Sequence, residues 1–327
     1  MLAGRFRTLL SARAAPRLAA CGVAAGACGL TFASSRSLCA PAAAKPADSP
    51  AAASPTEPAA PSLATRCLAE LVGTAIIVQG GCGAVCAAKY AGSGLGGSGV
   101  AAVIWGVSVA LAAYTTRAIS GAHLNPAVSC ALVATGKAPL DELPWYVAAQ
   151  CAGGALAGAV NYAVFAAGIA ALEAKEGIVR GTARSAAIFH GAFGMVPEAA
   201  LIGSAGALAA EVYMTAILMF LIFAITDPNG TVPSGAAPAL IGATVTTMIG
   251  TFGAVTGAGM NPARDLGPRL VTLLAGWGGA AVRGWWIYTL GPVAGGVLGG
   301  CLYTAAFAQP TADVAAASAR DGDGKQQ

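Results

Sequence analysis

The sequence predicts an all-α membrane protein: six helices that cross the bilayer and two half-helices, arranged as an inverted repeat. Three observations predict this. First, only 10% of the 327 residues are charged and 56% are hydrophobic, whereas a soluble domain carries about 25% charge. Second, six apolar segments are each long enough to span hydrocarbon, which takes about 20 helical residues. Third, the tripeptide Asn-Pro-Ala occurs twice, at 125–127 and 261–263, in a chain with only four asparagines.

The elements follow in order. Residues 1–62 form a basic leader and an Ala/Pro/Ser-rich linker. Arg5, Arg7, Arg13, Arg17, Arg36 and Lys45 precede the first acid, Asp48. An Arg-, Ala- and Ser-rich, acid-free start has the composition of an organellar transit peptide; a disordered basic tail is the other reading. The net charge of +4 therefore comes from the leader. It is no nucleic-acid footprint, because no basic face with interleaved aromatics is present.

The channel-sized body is expected over 63–308, with a polar, disordered tail at 309–327. Spans are expected near 65–88, 97–119, 143–168, 206–226, 236–256 and 284–307. Ala and Gly abound in them, which lets helices approach closely. An even number of crossings puts both ends of the body on one face. The nine cysteines show no metal-ligand spacing and read as small packing residues. No metal site, cofactor loop or nucleophile–base constellation is visible, so no enzyme chemistry is expected.

The halves are copies, 65–168 and 206–307. Ala69-Glu70 opens the first and Ala210-Glu211 the fourth span. Gly153-Gly154 in the third matches Gly295-Gly296 in the sixth. Each half holds three spans with its Asn-Pro-Ala between the second and third. An odd number of crossings makes the copies run oppositely, which places the working site near the midplane at broken helices.

Asparagine suits an N-cap and proline the first helical position. Helices are therefore expected from Pro126 to Thr135, stopped by Gly136, and from Pro262 toward Leu274, with Gly276 beyond. Ten residues span roughly 15 Å, half the hydrocarbon thickness. Pro268 lies inside the second and deprives the Arg264 carbonyl of its usual donor. Two such N-termini meeting at the midplane oppose cations and pass neutral molecules.

The segments SGAHLNPAVS (Ser120–Ser129) and NPARDLGPRL (Asn261–Leu270) resemble the two pore loops of the aquaporin, or major intrinsic protein, family. The resemblance runs from Leu68 to Tyr303. AEVYMTAILM (Ala210–Met219) and LAGWG (Leu274–Gly278) are most similar to the aquaglyceroporin branch, the glycerol facilitators. The resemblance implies a homotetramer with one pore per subunit. It implies pore asparagines in Asn125-Pro126-Ala127 and Asn261-Pro262-Ala263. It also implies a selectivity ring of Trp105, Ile249, Ala258 and Arg264.

Within that ring, an intramembrane arginine is a functional candidate by default, and its guanidinium suits solute hydroxyls. Trp105, Ile249 and Ala258 would supply the apolar wall that a polyol's CH edge needs. Glu70 and Glu211 are read as acceptors that hold the loops, with proton relay as the alternative. His123 is read as a loop contact or a pH gate, Asp265 and Arg269 as a loop brace, and His190 as solvated. Glycerol channels usually carry Pro-Leu in the sixth span, where this chain has Tyr288-Thr289. The same ring also resembles plant nodulin-like channels.

The expected function is a passive channel for glycerol, other small uncharged solutes and water. Alternatives are a water-selective pore and a proton-coupled carrier. The expected location is a multi-pass integral membrane protein, in an organellar membrane if the leader is a transit peptide and otherwise in the plasma membrane.

Overall fold

A computed structural model describes residues 60–93 and 98–307. The leader, most of the linker and the tail lie outside the described residues. Nine α-helices occur in the described chain: α1 (Leu63–Tyr90), α2 (Ser98–Ser120), α3 (Pro126–Ala134), α4 (Leu143–Glu176), α5 (Ala186–Phe189), α6 (Ser204–Thr226), α7 (Ala237–Thr256), α8 (Pro262–Thr272) and α9 (Ile287–Ala306).

Local chemistry sets several of the ends. Ser62 caps α1, its hydroxyl accepting from Thr65 N–H at 3.2 Å. The third span runs past its expected end at 168, because Ala171-Leu-Glu-Ala-Lys-Glu continues with strong helix formers. Gly177, at φ 57°, stops it in the left-handed conformation. α3 ends at Ala134, with Gly136 at φ 70° beyond. α8 ends at Thr272, two residues short of Leu274, and passes into a π-helical turn, Leu273–Trp277, broken at Gly276 (φ 100°).

Five helices, α1, α2, α4, α6 and α7, are long and apolar enough to cross a membrane. α9 has the length, 20 residues, but five glycines and Pro292 dilute its hydropathy. It packs along α6 as α4 packs along α1. The two repeats meet through α2 against α7. Each half-helix docks on the long helix of the other copy: α8 on α4, and α3 on α9.

Two glycines permit that exchange. A Cβ on Gly154 would stand 2.5 Å from the carbonyl oxygen of Ala263, and one on Gly296 would stand 2.8 Å from that of Ala127. Each Asn-Pro-Ala alanine thus sits directly on the backbone of the opposite repeat, an approach only glycine allows.

The two faces can be told apart by their contacts. Arg66 at the start of α1 pairs with Glu142 before α4, and Tyr303 near the end of α9 donates to Asp227 after α6. These mark the face where α1 begins. On the opposite face, Arg180 reaches Glu173, the Tyr162 hydroxyl and the Ala275 carbonyl, and stacks 4.1 Å over Trp277.

His190 departs from expectation. It is half-buried: the 186–194 segment folds back so that its Phe189 and Phe193 cluster with Trp277. The His190 ring stands edge-on to Phe189 at 5.0 Å, and its Nε2 is enclosed without a hydrogen-bond partner among the described residues. Burial, aided by the charges of Lys89, Arg269 and Arg283, pushes its pKa down to about 4.

Candidate functional site

The two Asn-Pro-Ala segments abut. Asn125 caps α3, its Oδ1 accepting from Ala127 N–H at 2.9 Å. Asn261 caps α8, accepting from Ala263 N–H at 3.0 Å and Arg264 N–H at 3.3 Å. The amides then cross over. Asn125 Nδ2 donates to the Met260 carbonyl, and Asn261 Nδ2 donates to the Leu124 carbonyl, both at 2.9 Å. One N–H of each amide is therefore committed to the opposite loop, leaving the other for the space between.

The approach to each cap is strained in the same way. Gly121, Ala122 and Leu124 have φ of 83°, 53° and 53°. Gly257, Ala258 and Met260 repeat this with 86°, 48° and 52°. Left-handed alanine and leucine cost energy and persist only where the surroundings over-determine them. The determinants are the two repeat-related glutamates. Glu70 Oε1 accepts from Ser120 Oγ (2.6 Å) and His123 N–H (2.9 Å), and its Oε2 from Leu124 N–H (2.6 Å) and Gln150 Nε2 (2.7 Å). Glu211 Oε1 accepts from Thr256 Oγ1 (2.8 Å) and Gly259 N–H (3.0 Å), and its Oε2 from Met260 N–H (2.9 Å). Both carboxylates are fully buried, and each gathers the backbone donors of one loop.

Sequence reasoning missed the next layer. Tyr146 donates to the Ser120 carbonyl at 3.0 Å and Tyr288 to the Thr256 carbonyl at 2.5 Å. Ser120 and Thr256 in turn accept from Ala122 and Ala258 N–H. The signal was present: Ser120-Gly-Ala and Thr256-Gly-Ala stand at the offset that separates Asn125 from Asn261.

A single cavity of about 400 Å³ runs past these elements. Asn125, His123 and Asn261 line its middle. Trp105, Ile249, Ala258 and Arg264 all line it as well, whereas Gly250 does not. Arg264 is 4% exposed and its guanidinium carbon lies 4.1 Å over the Trp105 ring. Its Nη1 is buried with no hydrogen-bond partner among the described residues. The Trp105 ring leans on Gly81, where a Cβ would fall 2.1 Å from the indole. Sequence reasoning did not single out Gly81, which lies in a Gly-Gly-Cys-Gly run.

Arg264 forms no ion pair with its neighbour Asp265. Asp265 Oδ2 instead holds Arg269 Nε at 2.6 Å, and its Oδ1 accepts from Met195 N–H at 2.7 Å. Arg269 continues to the carbonyls of Met195, Ala281 (2.7 Å) and Arg283 (3.1 Å). This network ties α8 to two outer loops. His123 Nδ1 lies 3.1 Å from Ser129 Oγ, and its ring 4.9 Å from Tyr146.

Comparison with known proteins agrees with this geometry. The major intrinsic protein family profile matches residues 58–303. The chain is 43% identical over 245 residues to a glycerol uptake facilitator protein of Pseudomonas aeruginosa, covering 74% of this chain and 86% of that one. It is 40% identical to the glycerol uptake facilitator protein of Haemophilus influenzae over 253 residues, 75% of this chain and 95% of that one. The X-ray structure of the aquaglyceroporin from Plasmodium falciparum superposes with a TM-score of 0.65 at 25% identity, covering 77% of this chain and 99% of that one. With the duplicated loops locked tip to tip, these matches place the chain in the major intrinsic protein family, on its aquaglyceroporin branch, as an integral membrane protein.

Proposed function

We propose that the chain is a passive channel for glycerol and other small uncharged solutes, with water taking the same path. Arg264 carries this reading. A buried guanidinium with an unsatisfied donor beside a cavity is completed by an oxygen from a passing solute. Beside it the Trp105 ring and Ile249 line the same cavity with largely apolar surface, so a molecule with hydroxyls on one edge and CH groups on the other suits this lining. The relatives named for glycerol uptake point the same way.

In this reading Trp105, Ile249, Ala258 and Arg264 form the selectivity ring, and the two Asn-Pro-Ala segments form the midpoint. Glu70 and Glu211 draw the N–H groups of the two loops to one side. The carbonyls of those stretches then serve the cavity side as acceptors. Cations are opposed by Arg264 and by the positive ends of α3 and α8. Glu70 is engaged by four donors and Glu211 by three, all but one of them from the loop each holds, and this structural commitment favours a channel over a carrier. Asp265 and Arg269 brace α8, and His123 braces the first loop. The assembly is a homotetramer, and the body is 63–308 between a leader and a tail. The basic leader supports an organellar membrane.

Stopped-flow light scattering on proteoliposomes tests the reading. Osmotic shrinkage should be fast, and glycerol-driven re-swelling should be much faster than in empty vesicles. Fast shrinkage with re-swelling no faster than in empty vesicles would identify a water-selective pore and sink the glycerol claim. Accumulation driven by a pH gradient would identify a carrier.

A further inference from the structure

Among the described residues three cations line the cavity, Arg117, Lys137 and Arg264, and no carboxylate does. Arg264 belongs to the constriction. The other two stand at the mouth on the face where α1 begins, and they are held on different walls. Arg117, in the last turn of α2, donates through Nη1 to the Ser234 carbonyl just before α7. Lys137, just past α3, rests its ammonium 5.0 Å over the ring of Phe223 on α6. Neither forms an ion pair among the described residues. Asp227, the acid whose field reaches Lys137, already accepts from the Tyr303 hydroxyl at 2.7 Å and from Asn229 N–H at 2.8 Å.

Cations do favour helix C-termini, and α2 and α3 both end here. That preference is met by any side chain leaving the last turn in any direction. It does not explain why both reach one cavity. Nor does the mouth need them for neutral solutes, which carry no charge to attract.

We propose that this mouth is a binding site for phosphate groups, and that a phosphate monoester seated there lowers the flux of neutral solutes. A guanidinium presents paired donors that match phosphate oxygens, and an ammonium adds a point charge. Ile222, Pro238 and Ile241 supply low-dielectric walls that concentrate the field at the mouth. The dianion stops there, because the apolar path beyond offers too little to replace its hydration. The phosphate can come from a soluble monoester or from a lipid headgroup at the rim. The inference rests on the channel reading above.

The test reconstitutes the full chain in phosphatidylcholine vesicles and follows water and glycerol flux with β-glycerophosphate on both sides. Chloride at the same ionic strength is the control. At a concentration equal to its Kd the probe fills half the mouths, so glycerol flux should fall about twofold. The effect should fade at 1 M salt, where the Debye length is about 3 Å. Lys137→Gln should keep the flux seen without probe and lose the inhibition; Arg117→Lys should retain part of it and Arg117→Gln none. A second arm adds phosphatidic acid to the vesicles. A drop in flux there, reversed by Lys137→Gln, with no response to the soluble probe assigns the phosphate to a headgroup. Normal flux that responds to neither source overturns the proposal, as does equal inhibition in Arg117→Gln/Lys137→Gln. Absent glycerol flux without any phosphate would instead overturn the channel reading.

Discussion

Arg264 is a buried charge whose described neighbours give it a ring to stack on but no ion pair. Trp105 covers one face at 4.1 Å, Asp265 is turned away to Arg269, and Nη1 is buried with no hydrogen-bond partner among the described residues. The geometry of this pair depends on a residue without chemistry of its own, Gly81. Gly81→Ala puts a methyl group into the indole, an overpacking of about 1–3 kcal/mol. The indole must then shift from the guanidinium. The expected outcome is a glycerol-to-water permeability ratio lowered several-fold in vesicles with equal protein. A more drastic change tests the ring directly. Ile249→His with Ala258→Arg fills the cavity from two further sides, so glycerol flux should vanish while water flux persists. Unchanged glycerol flux in a correctly assembled protein would remove these residues from the constriction.

At the scale of elements, the loops that lead into the two half-helices are held by buried glutamates. Glu211 gathers Thr256 Oγ1 and the N–H groups of Gly259 and Met260. Glu211→Ala strands these three donors, and a stranded buried donor costs about 1–3 kcal/mol. A loss of about 3 kcal/mol or more is expected, read as a markedly lower Tm in detergent. Glutamine at the same site should recover part of it, because its carbonyl still accepts. The outer segment 186–194 responds to pH rather than to mutation. His190 has its pKa pushed down to about 4, below an ordinary value of about 6.5, so the folded segment favours the neutral ring. Its contribution is complete above about pH 6.5 and is lost as pH falls toward 4. Thermal stability should fall over that window, and His190→Phe should flatten the dependence.

The whole molecule is two three-span repeats that exchange their half-helices. α3 rests on α9 and α8 on α4, so neither repeat completes the path alone. The reciprocal bonds from Asn125 Nδ2 and Asn261 Nδ2 close the exchange at its centre. At this scale the leader is the remaining question of address. A tagged full-length chain and one lacking residues 1–47 should fractionate differently if the leader directs an organellar membrane. Identical distributions would remove the transit-peptide reading.

Much of this was legible in the one-dimensional chain. Low charge and six apolar runs dictate membrane helices, because hydrocarbon leaves backbone groups no partner outside a helix. A repeated Asn-Pro-Ala in halves of three spans dictates the inversion, since an odd number of crossings reverses direction. The sequence also singled out Arg264, because a cation there has no inexpensive alternative. Other features are relations between distant segments, and no local pattern encodes them. The α4 extension past 168 was local but lay beyond the apolar run. The crossing of the asparagine amides, the Tyr146 and Tyr288 struts and the seat of Trp105 on Gly81 arise only when helices pack. The partial burial of His190 likewise follows from a loop whose Phe189 packs on Trp277. Composition and periodicity decide which segments enter the membrane, because that choice is made against solvent. Tertiary structure decides which polar groups stay open to a solute, because that depends on which donors the neighbouring helices have already taken.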